Sequence, residues 1–508
     1  MASLSDILST VQNGVIALNN LTKQMSGSLN NILGRLNNIG PLYASQFGVV
    51  GDGITNNTIS FNAAMAAFPS SGGTLIMPPG ICIGVFNVTK PVIIQGQGMG
   101  KVGATTGTGQ TELRSNGAAD NILMFSANSG GVRDLLITSS VAVGSRTGAG
   151  LKIGSIQGIE VRNVVSNGHK YGFWNTAPGN TFIQCYGNVN QTAGLYLDGS
   201  VFDQSEIEVL DCQFNSNIND GVLIGGNGIG IFTKRMTSAN NGNSGVTILG
   251  GSTISDLYFD QPEISGNALH GIDANSNTGI NLGISGDGVV EVLTGTGNAV
   301  TTGTGQGGVN ISGTNITGGA SAVAINFLGA DTVITGSQIL GQATPNGFTI
   351  NFGAAASNFI IDGCLIKKGN ATFGILVNAG ATIGRVNGNT FTGFAAGNAI
   401  IDNSAVASVV FSNNGGTNIN QTIQSAATGN ITTNGAFGTL FTGTVAVTFT
   451  KPFLSAPIVV VSPHDANGAG GISAYAESIT TTGFTARGLG VTNGGVFACY
   501  YTASLTTN

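Results

Sequence analysis

Gly150-Leu151-Lys152-Ile153, Gly172-Phe173-Trp174-Asn175, Gly194-Leu195-Tyr196-Leu197, Gly221-Val222-Leu223-Ile224, Gly245-Val246-Thr247-Ile248 and Gly271-Ile272-Asp273-Ala274 share one pattern: a glycine, an apolar residue, any residue, then usually another apolar one. Their glycines are 22, 22, 27, 24 and 26 residues apart. Four residues before the glycine an asparagine returns, at Asn190, Asn217, Asn241 and Asn267, and Asn370 holds the same place before Gly374-Ile375-Leu376-Val377. Periods of this size belong to solenoids and repeat arrays.

Each unit carries two or three short alternating runs, such as Ile207-Glu208-Val209 and Val222-Leu223-Ile224, separated by Asn, Gly and Ser with no helical period between them. Short strands without helices argue against leucine-rich, ankyrin and tetratricopeptide units. A parallel β-helix fits, because each coil stacks its strands on the coil below and turns one repeat position into a ladder about 4.8 Å apart. Asparagine suits a corner, where it tolerates left-handed backbone and bonds its neighbours above and below. Nine residues before the glycines stand Cys185, Cys212, Met236 and Pro262, a small apolar ladder expected to face inward.

Composition narrows the class. Of 508 residues 82 are Gly and only 8% are charged, against the roughly 25% usual for soluble domains. With 41% apolar residues the chain can bury a core, and a net charge of -6 gives no case for nucleic acid. The five cysteines, Cys82, Cys185, Cys212, Cys364 and Cys499, are odd in number and mostly lie in apolar runs, which favours buried free thiols over disulfides. Neither a secretion signal nor a membrane span is visible.

Working outward, Leu4, Leu8, Val11, Val15, Leu18, Thr22, Met25, Leu29, Ile32, Leu36 and Ile39 alternate at spacings of four and three. This 3.5-residue period predicts a left-handed coiled coil over residues 1–40, and its narrow seam calls for copies of the chain. The alternative is an amphipathic helix lying on the first coil, which Gly14, Gly27 and Gly34 keep open by weakening the helix.

Next come Phe47-Gly48-Val49-Val50-Gly51-Asp52-Gly53-Ile54-Thr55-Asn56-Asn57-Thr58, Phe61-Asn62-Ala63-Ala64 and Gly72-Gly73-Thr74-Leu75-Ile76-Met77-Pro78-Pro79-Gly80. Over about 35 residues this order resembles the opening segment of the pectate-lyase-like right-handed β-helix superfamily, common to phage tailspikes and many polysaccharide-cleaving enzymes. The family usually carries Asp-Asp where this chain has Asn56-Asn57. Those residues look structural in the family, capping the short helix, and asparagine caps as well as aspartate.

The β-helix is expected over residues 41–414, with room for roughly fifteen coils and a length on the order of 70 Å. The repeat blurs between Ser276 and Asn346. Residues 415–435 read as a polar linker and 436–508 as a C-terminal β-sandwich, from Thr448-Phe449-Thr450-Lys451-Pro452-Phe453, Ala456-Pro457-Ile458-Val459-Val460-Val461, Ile479-Thr480-Thr481-Thr482-Gly483-Phe484-Thr485-Ala486 and Val496-Phe497-Ala498-Cys499-Tyr500-Tyr501. The last 70 or so residues look like the lectin-like C-terminal domain of phage tail fibres, which implies a trimerising domain and a sugar receptor. His464 and Asp465 are read as solvated loop residues there.

The chain has 23 Asp and Glu, and several crowd between Asp198 and Glu263. Aligned on their glycines, the coils place Glu206, Gly230 and Asp256 in one outward column, Glu208, Phe232 and Tyr258 in the next, and Leu210, Lys234 and Asp260 in a third. Carboxylates two coils apart lie about 9 to 10 Å from one another. Inverting glycosidases use about 6.5 to 9.5 Å, one acid protonating the leaving oxygen while the other activates water. The candidate catalytic residues are therefore Glu206 or Glu208 as base and Asp256 or Asp260 as acid, with Phe232, Tyr258 and Lys234 as substrate-binding residues. The competing view is a solvated strand face whose acids pair with Lys234 and Arg235. A register one residue off would turn all these side chains inward. No metal-ligand spacing, cofactor motif or catalytic triad stands out, and His169 and His270 lie near turns, where structural roles suffice.

With the resemblance, these features imply a homotrimeric phage tailspike or tail fibre of the virion, attached to tail proteins through its N-terminal helix. It would bind, and as hydrolase or lyase depolymerise, a bacterial surface polysaccharide. A non-enzymatic structural or adhesive fibre is the alternative. A secreted bacterial lyase fits less well with the coiled-coil start.

Overall fold

The computed structural model describes residues 3–37, 40–99, 109–275, 280–292, 297–304, 308–319, 323–341, 347–395, 398–404, 409–412, 414–416, 424–427, 431–432, 441–449, 456–464, 473–490 and 496–504. The body is a parallel β-solenoid of about 13 turns. A first sheet climbs from Leu42–Tyr43 through Gly73–Ile76, Val92–Gln95 and Thr253–Asp260 to Val409–Ser412. The second runs from Asp52–Asn56 to Gly415–Gly416, and the third, built from the glycine-led runs, from Phe86–Val88 to Ile400–Asp402. About 13 turns form against the roughly fifteen anticipated: among the described residues the third sheet has 13 strands, although the first has 15. The opening coils also carry a helix, Thr58–Ala67, and short helical turns at Ala44–Phe47 and Val143–Ser145.

One continuous apolar core extends from Ala44 to Phe411. Strand alternation feeds it: Ile207, Val209, Ile231, Leu257 and Phe259 are fully buried between outward-facing neighbours. Each such side chain contributes about 1.5–3 kcal/mol. Cys185, Cys212, Met236 and Pro262 do form a buried column, at the corner between the first and second sheets. Cys82 and Cys364 are buried free thiols like Cys185 and Cys212; the side chain of Cys499 lies outside the described residues.

The asparagine ladder holds the corner between the second and third sheets. The Asn217 amide NH2 donates to Asn241 Oδ1 at 3.0 Å, Asn241 to Asn267 Oδ1 at 2.9 Å and Asn190 to Asn217 Oδ1 at 3.2 Å, while each backbone N–H bonds the same oxygen. The left-handed residue, however, is the one before: Val189, Ser216, Asn240 and Gly266 have φ of 56°, 54°, 55° and 63°. Asn370 is not in the ladder. It is exposed on its turn, and the next residue, Ala371, is buried.

The opening motif is explained by close packing. A Cβ on Gly51 would sit 1.9 Å from the Pro79 carbonyl oxygen and one on Gly80 2.1 Å from that of Gly51, so the Gly-Asp-Gly and Pro-x-Gly turns touch through bare backbone. Asn57 does not cap the short helix with its side chain. It is buried and clamps the preceding turn, accepting from Val50 N at 2.8 Å and donating to Val50 O at 2.9 Å and Thr55 O at 3.0 Å. Asn56 instead accepts from Thr58 N at 3.0 Å.

Leu4–Asn37 forms one helix, α1. Val11, Val15, Leu18, Met25 and Leu29 on its seam are each more than half exposed, so this part does not lie on the first coil. Ile39 lies outside the described residues, as do the side chains of Leu4, Leu8, Ile32 and Leu36. At the other end, Gln424–Ala427 and Ile458–His464 flank Val496–Ser504, and Phe441–Thr448 and Ser473–Glu477 flank Gly483–Gly490, all antiparallel. The two sheets share a core of Phe449, Phe484, Ala486, Tyr501 and Ala503. His464 ends a strand rather than lying in a loop, and Asp465 is outside the described residues. No helix of the described residues is long and apolar enough to cross a membrane.

Candidate functional site

The first sheet presents the candidate acids. Ile207 pairs with Ile231 and then Leu257, Glu208 with Phe232 and then Tyr258, and Leu210 with Lys234 and then Asp260. The same register sets Glu206 against Gly230 and Asp256. All seven candidate residues thus share one outward face: Glu206, Glu208, Phe232 and Tyr258 are exposed, and Lys234, Asp256 and Asp260 are partly exposed. Two coil steps separate Glu206 from Asp256, ~10 Å along the axis.

Glu206 and Asp256 occupy a bend where the chain returns from the third sheet to the first. Their φ values are 54° and 58°, with Gly230 at 71° between them. Left-handed non-glycine residues can mark functional strain. Here Asp331, Asn358 and Ile383 repeat the bend farther along at 57°, 53° and 51°, so it belongs to the architecture. The competing ion pairs form in part. Lys234 Nζ lies 3.4 Å from Asp260, whereas Arg235 bonds Asp211, which is not among the candidates, at 2.6 and 2.9 Å.

Two features beside these acids escaped the sequence reading. Residues 200–203 bulge out where the next coil spends a single residue, and they expose Val201 and Phe202 next to Glu206. The 27-residue spacing after Gly194 is the trace of that insertion. The second is a hollow of about 300 Å³ in which Asp256 and Tyr258 meet Asn281, Gly283, Asn310 and Asp331. Its floor is set by Gly283, over which the Tyr258 ring folds; a Cβ there would come 2.4 Å from a ring carbon. The only hint in sequence is a small residue where the column otherwise carries Phe232 and Tyr258.

The arrangement offers carboxylates at two-coil spacing, an exposed aromatic pair and amide-lined space beyond it. Such a surface can accept hydroxyl-rich chains, with rings stacking on Tyr258 and amides bonding hydroxyls. Burial, and after it Glu263, pushes the Glu291 carboxyl up, but that group is on the second sheet. Among the described residues, no cluster of three or more His, Cys, Asp or Glu side chains is placed to hold a metal ion. His169 is buried, and the His270 ring accepts from Asn298 N at 2.9 Å, so both serve the coil.

No family model matches this chain, and no curated protein matches it by sequence. Solved structures do. The Dettilon tailspike protein superposes with a TM-score of 0.55 at 14% identity, over 91% of this chain and 94% of that one. The pre-mature bacteriophage phi29 gene product 12 gives 0.53 at 11% identity, over 78% of this chain and 60% of that one. At these identities the likeness is one of fold.

Proposed function

We propose that this chain is a homotrimeric bacteriophage tailspike of the virion surface that binds a host surface polysaccharide along its first sheet and depolymerises it there. The observation that carries the proposal is the single outward face that holds Glu206, Glu208, Asp256 and Asp260 together with Phe232 and Tyr258. Its likeness in fold to a tailspike supports the class of particle. In this reading one of Glu206 and Glu208 activates water and one of Asp256 and Asp260 protonates the leaving oxygen, from coils on either side of one linkage. Phe232, Tyr258 and Lys234 hold the sugars, α1 joins the trimer and the tail, and residues 436–508 form the trimerising, receptor-binding end. A lyase would use the same face, with the base taking a carbon-bound proton.

Incubation with host surface polysaccharide should release new reducing ends. Glu206→Gln or Glu208→Gln, and Asp256→Asn or Asp260→Asn, should abolish release while glycan binding and trimer stability persist. One observation favours the non-enzymatic adhesive fibre: Asp260 is paired with Lys234. Binding of the polysaccharide with no new ends in wild-type protein would establish that second reading.

A further inference from the structure

The outward face of the third sheet takes no part in the site described above. In two consecutive coils it is bounded by apolar side chains at both of its corners. The third-sheet part of Ala193–Leu210 has Val189 ahead of it and Val201 and Phe202 behind it; that of Asp220–Lys234 has Ile218 ahead and Ile229 behind. All five are about half exposed in the single chain. Val189 holds a φ of 56°, costly for a β-branched residue, at a corner that takes Ser216, Asn240 and Gly266 in the coils that follow. The turn itself therefore does not call for an apolar side chain there.

Between the corners lies an aromatic cluster. The Trp174 and Tyr196 rings stack at 6.2 Å, and Tyr171 packs on Tyr196 at 4.9 Å. Gly225 continues the surface to Leu249, since a Cβ there would come 2.9 Å from a Leu249 methyl and 3.5 Å from the Tyr196 hydroxyl. The charges in the cluster balance. Lys152 and Lys170 lie over the Trp174 and Tyr171 rings at 3.7 and 5.0 Å. Against them stand two buried carboxylates: Asp198 accepts from Trp174 Nε1 at 3.1 Å, and Asp220 accepts from Asn243, Ser244 N and Thr247. The other two faces differ in these coils. The second sheet presents Gln213, Thr237 and Glu263, and the first exposes Glu160 and Glu208.

An apolar surface of this breadth, rimmed by polar residues, marks a protein interface. Copies of one chain arranged in parallel about an axis set equal residues at equal heights, so a face with unmatched charge meets its own sign and a balanced one does not. Two unlike edges on one face make a head-to-tail contact, and such contacts close into rings. We infer that the third sheet of these coils is where the solenoids of neighbouring copies meet. The corner with Val189 and Ile218 of one chain packs against the corner with Val201, Phe202 and Ile229 of the next, and Trp174 and Tyr196 face the common axis. The inference rests on the trimer reading and deepens it, because α1 can join three chains without deciding which face of the body turns inward. It also leaves the first sheet of every copy open to a polymer.

The test combines Ile218→Cys with Ile229→Cys in the full chain, treated with a short bis-maleimide and separated on a denaturing gel. The two positions flank one strand run, roughly 20 Å apart, beyond the reach of the reagent within a chain. The double variant should give two-chain and three-chain bands. Either single variant, Thr237→Cys on the second sheet and the wild type should give none. In a second measurement, Ile218→Glu with Ile229→Glu should raise acrylamide quenching of Trp174, the chain's one tryptophan, at least twofold with unchanged circular dichroism. Light scattering is scored separately. A three-chain mass without cross-linked bands, or with quenching unchanged, would overturn this face and leave the trimer standing. Bands from a single variant would overturn the head-to-tail contact, and a single-chain mass would remove the trimer and this inference together.

Discussion

Asn217 shows what one side chain does in a stacked fold. It is buried, donates to the coil above and to the carbonyl of Gly187 at 3.1 Å, and accepts from Asn190. Leucine there removes these bonds and leaves buried backbone groups without partners, so Asn217→Leu or Asn241→Leu should destabilise by roughly 1–3 kcal/mol. Chemical unfolding that was unchanged in both variants would remove the ladder from the account of stability. His169 begins the same ladder, its backbone N–H bonding Asn190 Oδ1 at 3.0 Å. Burial and then the charge of Arg146 hold its imidazole down at about 3, against an ordinary 6.5. The unfolded chain thus binds a proton that the folded chain refuses. The stabilisation is complete above pH 6.5 and is lost as pH falls toward 3, by a few kcal/mol at most. His169→Asn, which keeps a ladder side chain without the titration, should flatten the fall in melting temperature between pH 6 and pH 4; an unchanged acid limb would refute the assignment. The ladder was legible because asparagine recurs four residues before glycine. The left-handed position one residue earlier was not, since Val189, Ser216, Asn240 and Gly266 share no chemistry beyond accepting the turn.

At the level of the strand, the alternation of Ile207-Glu208-Val209 fixed which side chains reach solvent, and the glycine spacing fixed which coils they share. Both came from sequence because a one-residue slip would have buried Glu208 and exposed Ile207. The hollow beyond Tyr258 was not legible, because the coils after Ser276 lose the apolar anchors that set register. Gly283 is the residue to test. Its backbone needs no left-handed conformation, yet an added methyl would meet Tyr258 ring carbons at 2.4 and 2.8 Å. Tyr258 is 47% exposed, so its ring can swing away at little cost. Gly283→Ala should therefore leave stability within about 1 kcal/mol of wild type yet weaken polysaccharide binding about tenfold. Equal binding, measured by titration calorimetry, would mean that the Tyr258 ring is not a sugar platform.

Over the whole molecule, a solenoid has near-neighbour contacts and so leaves its long faces and its ends to be covered by something else. The N-terminal helix bears on this. Val11, Val15, Leu18, Met25 and Leu29 repeat at four and three residues along it, and their exposures run from 52% to 64% in the single chain. Leu21, beside the seam, is 53% exposed as well. An isolated helix with that stripe in water leaves apolar surface that other copies of the same stripe can cover, and the 3.5-residue period is the one that keeps such stripes facing each other. A seam widened by Leu21 gives each helix two neighbours to meet, which suits three strands better than two. The chain should accordingly scatter light with a mass about three times 50.9 kDa at micromolar concentration. Val15→Asp combined with Leu18→Asp places charges inside the seam and should shift that mass toward the single chain without altering the β-rich circular dichroism of the solenoid. A wild-type mass near 50.9 kDa would exclude the trimer and leave the helix as an attachment to other proteins.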